Sequence, residues 1–243
     1  MKKVSIITTT YNDSANLRKT IQQVEAQDYE NIEYIIVDGA SKDDTLQVIA
    51  EAKERFGDRL VWISEKDSGI YDAINKGLRL ATGDFIGLCF DQFASPDVIS
   101  KMVSIMEKEG TDGVHGDLDY VDGEKIVRKW RQGQGNIRTG WMPGHPTLYL
   151  RKEVYETYGF YKTDYRISAD YEYMIRILKD GKVKLSYIPE VLIKMAHGGT
   201  STNSLGAYLE GMKEGHRALK ENGVKFAFVT DLLRVLRVLR QFV

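Results

Sequence analysis

The 243-residue chain has one cysteine, Cys89, and 4 prolines. A single thiol excludes an intrachain disulfide and a thiolate zinc cluster, and it suits a reducing cytoplasm. So few prolines leave no Pro-rich linker between domains, and neither low-complexity tracts nor internal repeats divide the chain. Neither charge is in excess, since 34 Lys+Arg stand against 35 Asp+Glu for a net charge of -1. That balance excludes nucleic-acid binding through bulk positive charge, and 42% hydrophobic with 28% charged residues excludes intrinsic disorder. No stretch reaches the ~20 apolar residues of a membrane span. The most apolar tail, Phe226 to Val243, is interrupted by Asp231, Arg234, Arg237 and Arg240. The opening run Val4-Ser5-Ile6-Ile7 is too short for the core of a secretory signal and reads as a strand.

What the sequence does contain is a repeated alternation of strand and helix. Lys3 to Thr8 is β-branched and apolar, and Leu17 to Ala26 carries Leu17, Ile21 and Val24 at helical spacing. Ile32 to Val37 is a second strand, followed by a helix over Thr45 to Phe56 with Leu46, Ile49, Ala50 and Phe56 on one side. Leu60 to Ser64, Ile70 to Ala81 and Gly83 to Leu88 continue the cycle as strand, helix and strand. This alternation predicts an α/β fold with a mostly parallel sheet and helices on both faces. After a helix over Pro96 to Glu109 the regularity is lost. Strands are expected at Gly113 to Gly123, Lys125 to Trp130 and Lys184 to Ile188, a helix at Ala169 to Lys179, and a closing loop from Ala196 to Asn203.

Ligands of such sheets sit at the carboxyl ends of the strands. There the first strand ends in Thr9-Thr10-Tyr11-Asn12, with hydroxyls and an amide for hydrogen bonds and an aromatic face for stacking. Asp38 follows the second strand, where a carboxylate can accept from a ribose hydroxyl or a base imide; a helix cap is the other reading. No glycine-rich turn follows the first strand and no P-loop pattern occurs, so dinucleotide folds and kinases recede. A nucleotide bound without a glycine cradle needs another counter-charge for its phosphates, and a divalent cation on carboxylates is the usual one.

Several ordered motifs then carry a named resemblance. They are Thr9-Thr10-Tyr11-Asn12, Ile36 through Asp43, Ser64 through Gly77, and Ala81-Thr82-Gly83-Asp84-Phe85-Ile86-Gly87. More loosely, His145-Pro146, Ala169-Asp170-Tyr171-Glu172 and Gly198-Gly199-Thr200-Ser201 extend the series. The chain resembles a family 2 glycosyltransferase over roughly its first two hundred residues, and motifs in series are far more specific than any one alone. The resemblance implies a GT-A fold and inverting transfer of a sugar from a nucleotide donor, usually UDP-linked, to a glycan or lipid-linked acceptor.

Carried over to this sequence, the resemblance implies that Thr9, Tyr11 and Asp38 hold the uridine, with Asp67 and Lys76 lining the same pocket. Relatives have two adjacent aspartates after the strand Phe85 to Leu88, for Mn2+ or Mg2+. Counting back from Pro96 puts Asp91 on the first and Gln92 on the second, a departure, because an amide is a poorer ligand for a hard cation. Weakened metal binding, an altered donor pose and loss of activity are the three explanations. His197, on a glycine-rich loop, is a further candidate metal ligand. Asp170 is the candidate catalytic base, since inverting transfer needs a carboxylate to take the acceptor's proton; a helix-terminal charge is the bland alternative. Trp141 and His145 are placed at the acceptor, the indole as a surface for a sugar ring.

The expected organisation is a nucleotide-sugar-binding half over 1–112, an acceptor-binding and catalytic half over 113–205, and a helical extension over 206–243. A helix from Val224 to Val243 would place Arg234, Arg237 and Arg240 beside an apolar surface of Leu232, Leu233, Val235, Leu236, Leu239 and Phe242. That pattern fits either peripheral binding to an anionic membrane or protein docking, including a homodimer. The expected activity is that of an inverting glycosyltransferase in the cytoplasm or at the inner membrane face, with no nucleic-acid partner. The rival is a sugar-nucleotide-binding or scaffold protein impaired at Gln92. A nucleotidyltransferase would need a basic, Gly-rich triphosphate loop, which is lacking.

Overall fold

The computed structural model describes residues 1–196, 205–239 and 241. The chain begins β1 (Val4–Thr10), α1 (Ser14–Glu25), β2 (Ile32–Asp38), α2 (Thr45–Phe56), β3 (Leu60–Ser64), α3 (Ile70–Leu80) and β4 (Phe85–Leu88). It continues through β5 (Gln92–Phe93), α4 (Val98–Glu109), the hairpin of β6 (Gly113–Asp122) and β7 (Lys125–Trp130), then β8 (Tyr149–Arg151) and α5 (Lys152–Tyr158). The rest is α6 (Ala169–Leu178), β9 (Leu185–Ala196), α7 (Leu205–Glu221) and α8 (Ala227–Leu239). Among the described residues nine strands form one sheet in the order β3-β2-β1-β4-β8-β6-β9-β5, with β7 paired to β6.

The neighbours β3-β2-β1-β4 are parallel, as strands joined by crossover helices must be. β2 is buried along its whole length, and its side chains alternate between two cores. Tyr34 and Ile36 face α1, α2 and α4, whereas Ile35 and Val37 face α3, α5, α6 and α7. The sheet becomes mixed where β8 enters antiparallel between β4 and β6, so residues beyond 113 extend the sheet of the first half. β9 then runs parallel to β6 and antiparallel to β5.

Three expectations change. The buried face of α2 is Thr45, Val48, Ile49, Ala52 and Phe56, which leaves Leu46 and Ala50 outside. The strand begun near Lys184 continues to Ala196, because β6 and β5 pair with its second half; residues 197–203 of the expected closing loop lie outside the described residues. The last helix starts at Ala227, since Gly223 and Phe226 take left-handed backbone (φ +70° and +57°) and cannot extend it.

Gly87 allows the closest approach in the sheet. A Cβ there would lie 2.2 Å from two ring atoms of the buried Tyr149 on β8. Gly87→Ala is therefore expected to destabilise the protein by roughly 1–3 kcal/mol through overpacking. Thermal unfolding checks this, and an unchanged midpoint would mean that β8 sits farther from β4.

Candidate active site

The parallel register brings three strand ends together, pairing Thr10 with Asp38 and Asp38 with Ser64. The loops that follow are lashed to one another. Asn12, with φ +48°, donates its N–H to Ser41 Oγ at 2.7 Å and accepts the Lys42 N–H at 2.7 Å. Asp38 is 0% exposed and accepts from the Ser41 N–H (3.0 Å), the Ser64 hydroxyl (2.6 Å) and the Ser41 hydroxyl. It accepts three hydrogen bonds from the protein, ties the tips of β2 and β3, and lies beneath the loops as a floor.

Tyr11 and Asp67 converge above that floor. A Cβ on Gly39 would come 2.7 Å from Asp67 Oδ2 and 3.2 Å from Tyr11 Cδ2, so the glycine keeps the space between them open. The Tyr11 ring is 62% exposed, ready to be covered, and Thr9 is half-buried beside it on β1. Asp67 accepts the Gly69 N–H at 3.0 Å, which forms the turn into α3 with Gly69 at φ +122°. Lys76, on α3, is engaged with the preceding loop. Its Nζ donates to the Lys66 carbonyl (2.6 Å) and pairs with Glu65 (3.0 Å), bracing the loop that carries Asp67.

Asp170 lies in the first turn of α6, two residues after the N-cap position Ser168, so it is not the cap, although the helix dipole favours its charge. Its side chain is 31% exposed. Oδ1 accepts from the Tyr171 N–H (2.8 Å) and the Tyr71 hydroxyl (3.1 Å), and Oδ2 lies 4.0 Å from His145 Nδ1. The His145 ring is nearly enclosed, with Nε2 paired to the Tyr161 hydroxyl at 2.8 Å; burial lowers its pKa and Asp170 opposes that shift in part. A neutral imidazole therefore stands beside a carboxylate. Tyr71 had no role in the sequence reading, since at the start of an amphipathic helix it reads as a core residue. Its hydroxyl reaches both Asp170 and the Ile167 carbonyl (2.6 Å).

Trp141 does not present its ring to solvent. It is 6% exposed, its ring packs against His115 at 5.5 Å, and its N–H donates to the Gln132 carbonyl at 2.9 Å. The loop that carries it folds inward over the sheet, and the indole fills the space beneath.

Asp91 follows β4 and reaches the Ala196 N–H only at 3.4 Å. Burial pushes its pKa up to about 6, and among the described residues no cationic side chain pairs with it. A half-buried carboxylate lacking a counter-charge is the kind of group that a hard cation can pair with. Gln92 is exposed on β5 opposite Lys194. Among the described residues no three acidic, His or Cys side chains gather into a metal cluster, and His197 lies outside them. Asp91 thus stands without a group of further protein ligands for a cation among the described residues.

Residues 5–178 match the model of Glycosyl transferase family 2, and the chain belongs to that family of sugar-transferring enzymes. An uncharacterized glycosyltransferase of Mycobacterium tuberculosis strain CDC 1551 is 32% identical over 187 residues, covering 71% of this chain and 68% of that protein. A PGL/p-HBAD biosynthesis glycosyltransferase of Mycobacterium bovis strain BCG is 28% identical over 210 residues, covering 83% and 79%. Among solved structures, the mannosyltransferase PcManGT of Pyrobaculum calidifontis, in complex with GDP-Man and Mn2+, aligns with a TM-score of 0.71 at 17% identity, covering 97% of this chain and 71% of its own. Residues 1–349 of S. aureus TarS, in complex with UDP, align with a TM-score of 0.71 at 16% identity, covering 99% and 72%. These likenesses establish the GT-A fold.

The state of Asp91 has a sign that can be measured. Its folded pKa of about 6 exceeds the ordinary 3.8, so the folded form holds the proton more tightly and stability falls as pH rises from 3.8 to about 6. Asp91→Asn should stabilise the protein at pH 7.5 in chelator by about 1–3 kcal/mol, and have little effect below the unfolded-state pKa. Thermal unfolding at both pH values checks this; a destabilised variant at pH 7.5 would show that the carboxylate has a partner.

Proposed function

We propose that the chain transfers a sugar from a UDP-linked donor to an acceptor hydroxyl with inversion at the anomeric carbon. The observation that carries this reading is the partly exposed Asp170 carboxylate, held by Tyr71 in the first turn of α3, directly after the loop bearing Asp67. The nucleotide lies between Tyr11 and Asp67 beside Thr9, over the floor made by Asp38, with Lys76 bracing the loop. Asp170 takes the acceptor proton as its oxygen bonds to the anomeric carbon and the bond to UDP breaks with both electrons leaving on the diphosphate. His145 stands on the acceptor side of that carboxylate, and its neutral ring leaves the negative charge of Asp170 intact for the proton. A divalent cation held by Asp91 would neutralise the diphosphate charge when bound. The UDP complex of TarS and the Mn2+ complex of PcManGT support the donor class and the cation.

Asp170→Asn is expected to fold, bind UDP as the wild type does, and lose roughly 10²–10⁴-fold in transfer. Calorimetry with UDP and release of UDP from UDP-glucose, UDP-galactose or UDP-N-acetylglucosamine provide the two readouts. Retained transfer would reject Asp170 as the base. The exposed amide of Gln92 favours a second reading, a sugar-nucleotide-binding protein without turnover. That reading predicts UDP affinity equal in Mn2+ and in chelator, with no release from any donor.

The acceptor is taken as a glycan or lipid-linked hydroxyl, reached at a membrane surface on the cytoplasmic side. No described helix is long and apolar enough to cross a bilayer. α8 nevertheless leaves Phe228, Val229, Leu232 and Leu236 exposed, with Phe226 just before it. The one acid of this helix, Asp231, is buried against His216. Two of the arginines expected at the lipid have partners in the protein: Arg234 lies over the Tyr171 ring (4.4 Å) and Arg237 donates to the Thr139 carbonyl (2.9 Å). The apolar side chains are therefore the main contact with lipid, and Lys225 and the outer side of Arg237 add the charge. Replacing Phe228, Leu232 and Leu236 together by Ser should lower co-sedimentation with phosphatidylserine vesicles at least tenfold while leaving UDP binding intact. Unchanged sedimentation, with a shift from dimer to monomer, would assign the face to a homodimer instead.

A further inference from the structure

The segment 166–168, which leads into α6, turns three successive amide groups toward one place. Glu214 of α7 meets them there. Its Oε1 accepts the Arg166 N–H at 2.7 Å, and its Oε2 accepts the N–H groups of Ile167 (2.9 Å) and Ser168 (2.8 Å). The side chain is buried, at 7% exposure. One turn earlier on α7, the Gly211 carbonyl accepts the Ser168 hydroxyl at 3.2 Å. From the opposite side, the Tyr71 hydroxyl donates to the carbonyl of the central residue, Ile167. The segment is thus clamped between α3 and α7, and Asp170 follows it by two residues. α7 lies wholly beyond residue 178, where the family match ends.

We propose that Glu214 is a positioning residue for sugar transfer: by gathering the amides of 166–168 it fixes the place of Asp170 without touching donor or acceptor. The inference rests on Asp170 as the base. A carboxylate suits this work because both oxygens accept and its charge matches three converging amide dipoles together with the amino end of α6. An amide of the same shape does not. Glutamine has one accepting oxygen and an NH2 group, so at least one backbone N–H would face another donor. A small displacement of the base is enough to slow transfer, because rate depends steeply on the geometry of the reacting atoms.

The test uses the full chain and the UDP-sugar that the wild type turns over. Glu214→Gln should lower kcat for UDP release about 10–100-fold with donor KM and UDP affinity changed less than about threefold, and amide exchange over 166–170 should rise. In an Asp170→Asn background the same substitution should cost less than about twofold, since a residue that acts only through Asp170 has nothing left to position. A merely structural role would instead cost the same factor in both backgrounds, and that result overturns the inference. So does an unchanged kcat in Glu214→Gln beside an inactive Asp170→Asn. Full activity of Asp170→Asn alone overturns the base assignment, a failure seen in that variant and not in the exchange data. If Glu214→Gln does not fold, Glu214→Asp keeps the charge, withdraws it by one methylene, and is held to the same pattern.

Discussion

A carboxylate with no solvent exposure at the tip of the second strand is the constraint from which the candidate site follows. Burying such a charge is costly unless hydrogen bonds compensate it. Asp38 accepts three, from two hydroxyls and one amide of its own loop and of β3. Once it is satisfied, the chain after β2 has little freedom. Ala40 is held at φ +65°, an unusual angle for a residue with a Cβ, and Asn12 at +48° closes against the same loop. Gly39 can then leave a gap between Tyr11 and Asp67. The placement of the loops around Tyr11 and Asp67 is therefore tied to the hydrogen bonds of one buried carboxylate.

Asp91 and Asp170 show the same side chain under two other conditions. Asp91 is half-buried without comparable donors, so its proton is held more tightly, up to about pH 6. Its charge is stored at a cost that a cation offsets. Asp170 is partly exposed and has a tyrosine hydroxyl and a backbone amide on one oxygen, which leaves the other toward His145 and the solvent. One residue type thus occurs here fully buried and hydrogen-bonded, half-buried with no ionic partner among the described residues, and partly exposed. Burial and donor count separate these three environments, and neither is visible from residue identity.

That separation accounts for what was legible in the sequence. The bounds of α2, β3 and β7 agree with the expected ones because periodicity and flanking polar turns define them locally. β8 and α5 were not foreseen: a three-residue antiparallel strand has no period to detect, and its place is set by β4 and β6 on either side. The alternation of the first half and its strand-tip residues carried the family and the fold. The directions of individual side chains were not legible. Lys76 turns to a carbonyl ten residues earlier, Trp141 turns inward beneath its own loop, and the Tyr71 hydroxyl finds Asp170 only once α6 has been placed by the core.

The two C-terminal helices complete the core around α6, although the family match stops at residue 178. Ala218, Leu219, Val224 and Ala227 belong to the same core as Tyr71, Tyr161 and the buried residues of α6. Arg234 covers the face of Tyr171, and the backbone of Leu233 and Arg234 closes on Gly140, where a Cβ would come within 2.3 Å of the Arg234 nitrogen. A chain ending at 178 would leave that core face open and the amides of 166–168 without the oxygens they now meet. Buried backbone donors are not tolerated unpaired, so the segment would have to rearrange toward water. The residues that would move with it are those that carry Asp170. The unit that must fold in order to hold Asp170 in place therefore extends into α8, beyond the part of the chain by which the family is identified.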